Sequence, residues 1–249
     1  MCVARARKRH PQQELFRHGG KRKGAGRPIT PGRKRASERH LPRPRLTKHQ
    51  AVHITLRVVE GMAALRDRDC YHAIRRAMTR VYARHDCQIT GVSVQGSHIH
   101  LLVEASDGRA LSRAMQALQI SAARHLNRAF AKRAGLAKPR RGQVFADRYN
   151  EEVIDNPRQA RHAWSYVLNN WRKHGEQRAE PMRAFTIDPF SSAIAFGGWT
   201  EPIDEHWPAS YEPLPVKPAR TWLLATGWRR YGLIDPREVP GRRRGAAHR

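Results

Sequence analysis

The chain has 249 residues with 48 Lys and Arg against 21 Asp and Glu, a formal charge of +27 at pH 7, so its surface field draws in polyanions and nucleic acid is the expected partner. Its length allows one well-cored domain with extensions. No apolar run approaches the roughly 20 residues that span a bilayer, and no apolar stretch of signal type follows Arg5, Arg7, Lys8 and Arg9, which leaves no membrane partner and points to the cytoplasm and the nucleoid.

Residues 1 to 46 are crowded with Lys and Arg, hold only Glu14 and Glu38 as acids, and lack apolar periodicity. Such a segment cannot bury enough surface to fold alone and is read as a disordered basic arm. Within it Lys21-Arg22-Lys23-Gly24-Ala25-Gly26-Arg27-Pro28 resembles the Gly-Arg-Pro core of AT-hook peptides, which makes Arg27 a candidate for the minor groove. A solvated tail touching only phosphates is the plainer alternative. Cys2, Cys70 and Cys87 form no CxxC pair, against a disulfide framework or a zinc knuckle.

From residue 51, Val52, Ile54, Leu56 and Val58 alternate with His53, Thr55 and Arg57, the pattern of a half-buried strand. Asp69 can cap a helix over 70 to 85 with Ile74, Met78, Val81 and Tyr82 as its stripe. A strand over 88 to 95 puts Val92 and Val94 on one face, and Gly96-Ser97 turns into a strand over 98 to 104 in which Ile99, Leu101 and Val103 face one way. A second helix, 109 to 130, carries Leu111, Met115, Leu118, Ala122 and Leu126; a basic linker, 132 to 141, leads to a fourth strand within 144 to 154. The third helix, 157 to 174, is the most sharply bounded, with Asn156 at the N-cap, Pro157 at N1, Arg172, Lys173 and His174 in the last turn and Gly175 beyond. Residues 176 to 249 form a Pro-rich, aromatic and basic extension. Its island from Trp222 to Gly232 either docks on the core or serves as an accessory DNA-binding element.

The order strand, helix, strand, strand, helix, strand predicts an α+β, ferredoxin-like split βαβ fold with an antiparallel sheet. Both helices cover one face, leaving the other open, and that open face carries His53, Thr55 and Arg57 of the first strand with His98 and His100 of its central neighbour, the third. Histidines at i and i+2 of a strand share a face about 7 Å apart and can converge on one ion.

The run Gln95-Gly96-Ser97-His98-Ile99-His100-Leu101-Leu102-Val103-Glu104 resembles the His-hydrophobic-His strand of the single-tyrosine HUH transposases, the group that includes the small insertion-sequence and REP-associated tyrosine transposases. Gly142-Gln143-Val144-Phe145-Ala146-Asp147-Arg148-Tyr149 resembles the family's stretch before its last strand, and Trp164-Ser165-Tyr166-Val167-Leu168-Asn169-Asn170-Trp171 its helix with a Tyr-Ile-x-Asn-Asn-Pro core. The likeness covers about residues 50 to 175, read as the catalytic domain. It departs from the family at Ser97, where Asn is usual, and at Trp171, where Pro is usual.

The resemblance implies Tyr166 as nucleophile, with Tyr149 as its rival, and a divalent metal, Mg2+ or Mn2+, held by His98, His100 and Asn170, with His162 as the alternative third ligand. Helix spacing agrees, since His162 and Asn170 lie four residues to either side of Tyr166. An amide oxygen suits either ion and two imidazoles lean toward Mn2+. The implied reaction cleaves and rejoins single-stranded or hairpin DNA through a covalent 5′-phosphotyrosine link with a free 3′-hydroxyl, within one subunit or across a homodimer. Arg57, Arg113 and Arg124 are candidate phosphate contacts. Two other readings stay open: a metal-independent two-histidine phosphoesterase built on His53-Ile54-Thr55 and His98-Ile99-His100, and a domesticated DNA- or RNA-binding protein without turnover.

Overall fold

The structure, a computed structural model, describes residue 43, residues 45 to 62 and residues 64 to 241. Arg27 and its surrounding motif lie outside the described residues. Four strands, β1 (Ala51–Arg57), β2 (Cys87–Val94), β3 (His98–Ala105) and β4 (Asn150–Ile154), form one antiparallel sheet in the order β2-β3-β1-β4. With α1 (Arg68–Tyr82) between β1 and β2 and α2 (Gly108–Arg133) between β3 and β4, this is the ferredoxin-like arrangement.

Alternation in β1 sends Val52, Ile54 and Leu56 into a core shared with Ile99, Leu101 and Val103 of β3, Ile74, Met78 and Val81 of α1, and Leu111, Met115, Leu118, Ala122 and Leu126 of α2. Each of the Val, Ile, Leu and Met side chains among them, fully buried, contributes roughly 1.5–3 kcal/mol. β2 reaches the same core by way of a bulge between Ile89 and Gly91. The extra residue shifts the side-chain parity, so Cys87 and Ile89 before it and Val92 and Val94 after it all point inward.

Two boundaries differ from expectation. The cap of α1 is Asp67 and not Asp69: the Asp67 carboxylate accepts from the Cys70 amide at 2.9 Å, one of the N–H groups a helix start leaves unpaired. Asp69 sits inside the first turn. β4 pairs with β1 only over Asn150–Ile154, and the expected strand's first half is a loop in which Phe145 makes one isolated bridge to Val58. There Asp147 accepts from the Arg148 amide at 2.7 Å and turns the chain before pairing resumes.

The face expected to be open is covered. α3 (Pro157–Lys173) lies across it and, with Ala51, Leu102 and Ile154 of the sheet, forms a second core filled by Trp164, Val167 and Leu168 and by Ile187, Leu224, Trp228 and Ile234 of the extension. Coverage of both faces explains why every residue of β2 is buried. Gly91 permits the close approach: a Cβ there would stand 2.9 Å from the Trp164 ring.

Polar anchors fix the extension. Buried Glu104 of β3 accepts from the amides of Arg220 and Thr221, both at 2.9 Å, and from the Thr221 hydroxyl at 2.7 Å. Trp164 Nε1 donates to the Leu224 carbonyl at 3.1 Å, and Arg66 donates to both carboxylate oxygens of Asp188 at 2.8 and 3.0 Å. By these contacts α4 (Trp222–Ala225) and the 3-10 turn Gly227–Tyr231 dock against α3. At the other end the packed chain begins before residue 50, because Leu46 is buried in the first core and the Arg43 guanidinium lies 3.6 Å from the Tyr149 ring centroid. Among the described residues no helix is long and apolar enough to cross a membrane.

Candidate active site

The register of β1 on β3 sets Thr55 opposite His100 and Arg57 opposite His98. His100 is buried, with its Nδ1 3.1 Å from His53 Nε2 and 3.2 Å from Thr55 Oγ1. His98 Nδ1 lies 3.3 Å from Ser97 Oγ, so the Ser that replaces the usual Asn still touches this ring. The His98 and His100 ring centroids are 4.6 Å apart, closer than strand spacing alone gives. In both rings Nδ1 is engaged and Nε2 is the free nitrogen; that of His100 is buried without a partner, a costly condition for a polar atom.

From the other side α3 brings Tyr166 edge-on to His100 and His53, at centroid distances of 5.0 and 5.6 Å. One turn further on, Asn170 is fully buried, and neither its amide oxygen nor its amide nitrogen has a partner. Lys173 Nζ lies 5.0 Å from the Tyr166 ring centroid, and the His174 ring 5.7 Å from that of His98. His162, the alternative third ligand, is solvent-exposed.

Four members of this cluster were given no part in the transposase reading of the sequence: His53, Thr55, Lys173 and His174. The first two carried a signal, the alternation that puts them on the histidine face. His174 read only as a cation at a helix end, and its approach to His98 depends on α3 continuing through Trp171, where a proline would disfavour the helix.

Burial lowers the pKa of His53 to about 4; burial, with His174 and Arg57 nearby, lowers that of His98 to about 4; and burial, with His53, His98, His174 and Lys173 nearby, lowers that of His100 to about 2. All three imidazoles are therefore neutral at pH 7, the form that ligates a metal. Burial pushes the Tyr166 phenol up from its ordinary value, so it holds its proton at neutral pH and needs an activator.

Two neutral imidazoles with free Nε2 atoms suit a divalent cation, and the buried, unpartnered Asn170 amide on α3 is a further donor of suitable type. Among the described residues no group of three or more His, Cys, Asp and Glu side chains is arranged to hold one.

The remaining candidates separate by layer. Tyr149 belongs to the first core, on the far side of the sheet from Tyr166, with its hydroxyl 3.4 Å from Ser112 Oγ. Arg57 is exposed at the end of β1 beside His98. Arg113 and Arg124 are exposed on α2, in the layer across the sheet from Tyr166, and Arg113 pairs with Asp86 at 3.3 Å. The fold does not bring these two to the site.

Residues 47–170 match the model of the IS200-like transposase family, and the chain belongs to that family of DNA transposases. A solved structure of a REP-associated tyrosine transposase bound to a REP hairpin is similar at 20% identity and a TM-score of 0.47, covering 72% of this chain and 98% of that one. Among curated proteins there is no significant match.

Proposed function

We propose that this transposase cleaves and rejoins single-stranded or hairpin DNA through Tyr166. The phenolic oxygen bonds to the scissile phosphorus, the bond from phosphorus to the 3′-oxygen breaks, the phenol loses its proton and the leaving 3′-oxygen gains one. A 5′-phosphotyrosine link and a free 3′-hydroxyl result. The observation that carries this reading is the 5.0 Å between the ring centroids of Tyr166 and His100, which supports a nucleophile and ligands acting at one point.

A Mg2+ or Mn2+ held by His98, His100 and Asn170 would polarise the phosphate and offset charge in the transition state. Lys173, with its ammonium 5.0 Å from the Tyr166 ring, favours the phenolate as the O–H bond weakens. His53 and Thr55 hold His100 by its Nδ1, and Arg57 offers a phosphate contact beside His98. Because the tyrosine link conserves the phosphodiester energy, the 3′-hydroxyl of another strand can displace it and join DNA without ATP.

The test is incubation of the full chain and Mn2+ with 3′-end-labelled single strands from its own genomic flanks. A covalent protein–DNA adduct that survives SDS is expected, absent in EDTA and absent in Tyr166→Phe. An adduct that persists in Tyr166→Phe would overturn the assignment, and a wild-type chain that binds DNA without forming any adduct would support the non-catalytic alternative.

A further inference from the structure

We infer that the C-terminal extension carries a stacking platform for single-stranded DNA, formed by Trp222, Arg230, Tyr231 and Arg158. Trp222 is 50% exposed and Tyr231 49%, whereas neighbouring Trp164 and Trp228 are buried in the second core. The two exposed rings are not needed to close that core. Nor are they scattered: the Arg230 guanidinium lies 4.8 Å from the Trp222 ring centroid and that of Arg158 5.4 Å from Tyr231. Because Arg230 and Tyr231 are adjacent in the chain, the two aromatic–cation pairs are neighbours on the same turn.

The rings are held in place. A Cβ at Gly227 would come within 2.8 Å of the Trp222 ring, so the glycine lets the indole settle against the backbone. Just after Tyr231 the chain is tied to α3, where Arg161 donates to the Leu233 carbonyl at 3.0 Å and pairs with Glu238 at 2.6 Å. Fixed, half-exposed rings flanked by planar cations suit nucleobases, each stacked base being worth about 1–3 kcal/mol whatever its identity, while the arginines meet phosphates.

Position links the platform to the nucleophile. Arg158, His162 and Tyr166 recur at four-residue steps along one flank of α3, and Arg158 stands about 12 Å along the helix from Tyr166. A strand held at Tyr166 therefore has its flanking bases within reach of Tyr231 and then Trp222. Charge selects the occupant, because a polyanion gains from these arginines while a second copy of a chain carrying +27 is repelled by them. The link to a strand at Tyr166 rests on the proposed reaction; binding at the platform does not.

The experiment measures binding of the full chain in EDTA, where no cleavage occurs, to fluorescent oligo(dT) and to a blunt duplex of equal length. The pair Trp222→Ala with Tyr231→Ala is expected to weaken oligo(dT) binding about tenfold or more without changing the salt slope or duplex binding, and Trp222→Phe with Tyr231→Phe to retain affinity. The pair Arg158→Gln with Arg230→Gln should instead reduce the slope of log K against log salt by about 1.4, two phosphate contacts' worth on a single strand. Photocrosslinking wild-type protein to 5-iodouracil-substituted oligo(dT) needs no variant, and crosslinks should map to Trp222 or Tyr231. Unchanged oligo(dT) affinity in the alanine pair, crosslinks confined to other residues, or a dimer that the alanine pair dissolves while oligo(dT) affinity stays intact would each overturn the platform. Absence of the wild-type Tyr166 adduct would count against the reaction and not against the platform.

Discussion

His53 Nε2 lies 3.1 Å from Nδ1 of His100, so one imidazole of the cluster braces another. A histidine that ligates through Nε2 carries its proton on Nδ1 and needs an acceptor there, and His53 Nε2 and Thr55 Oγ1 are the two acceptors in reach. His53→Ala is therefore expected to weaken Mn2+ binding by about tenfold or more in the DNA-free protein, measured by calorimetric titration. An unchanged affinity would show that His100 needs no brace.

The same cluster links stability to pH. Unfolded, these histidines protonate near 6.5; folded, His53 and His98 do so only near 4 and His100 near 2. Between those values the unfolded chain binds more protons, so stability rises with pH: the contribution is fully present above about 6.5 and is lost as pH falls through the folded values. The thermal midpoint, followed by circular dichroism at constant ionic strength, should fall from pH 6.5 toward pH 4. Replacing His53, His98 and His100 together by Gln should flatten that fall, and an equally steep fall in the triple variant would contradict the linkage.

Strand periodicity made the centre of the site legible. The alternation in β1 and β3 assigns His53, Thr55, His98 and His100 to one face because a side-chain period of two admits no other reading. What covers that face was not legible: Ile187, Leu224, Trp228 and Ile234 come from a Pro-rich stretch without a helical or strand period. The cap of α1 was misread because Asp67 and Asp69 are both competent, and only the hydrogen bond to Cys70 distinguishes them. Arg113 and Arg124 were chosen on exposure and charge alone, although the predicted fold already puts α2 on the face of the sheet opposite the histidines.

Close packing of α3 on β2 should show in a single methyl group. In Gly91→Ala the new Cβ would meet the Trp164 ring at 2.9 Å and Leu102 at 3.2 Å, an overpacking expected to cost about 1–3 kcal/mol in urea denaturation. Gly108→Ala, with nothing within 4 Å, serves as the control. Equal stability of the two variants would show that α3 yields easily.

The basic arm is expected to bind phosphates without taking part in the reaction. Deleting residues 1 to 42, which spares the packed Arg43 and Leu46, should weaken DNA binding and flatten its dependence on salt concentration. Adduct formation on saturating DNA should survive. A salt slope equal to that of the full chain would show that the arm makes no phosphate contacts.

The central claim is that Tyr166 carries the covalent bond, and peptide mapping of the adduct tests it most directly. After nuclease trimming and trypsin digestion, mass spectrometry should find the nucleotide remnant on the peptide of residues 162 to 172, at Tyr166. A remnant on the peptide of residues 149 to 158, or on any residue other than Tyr166, would contradict the assignment.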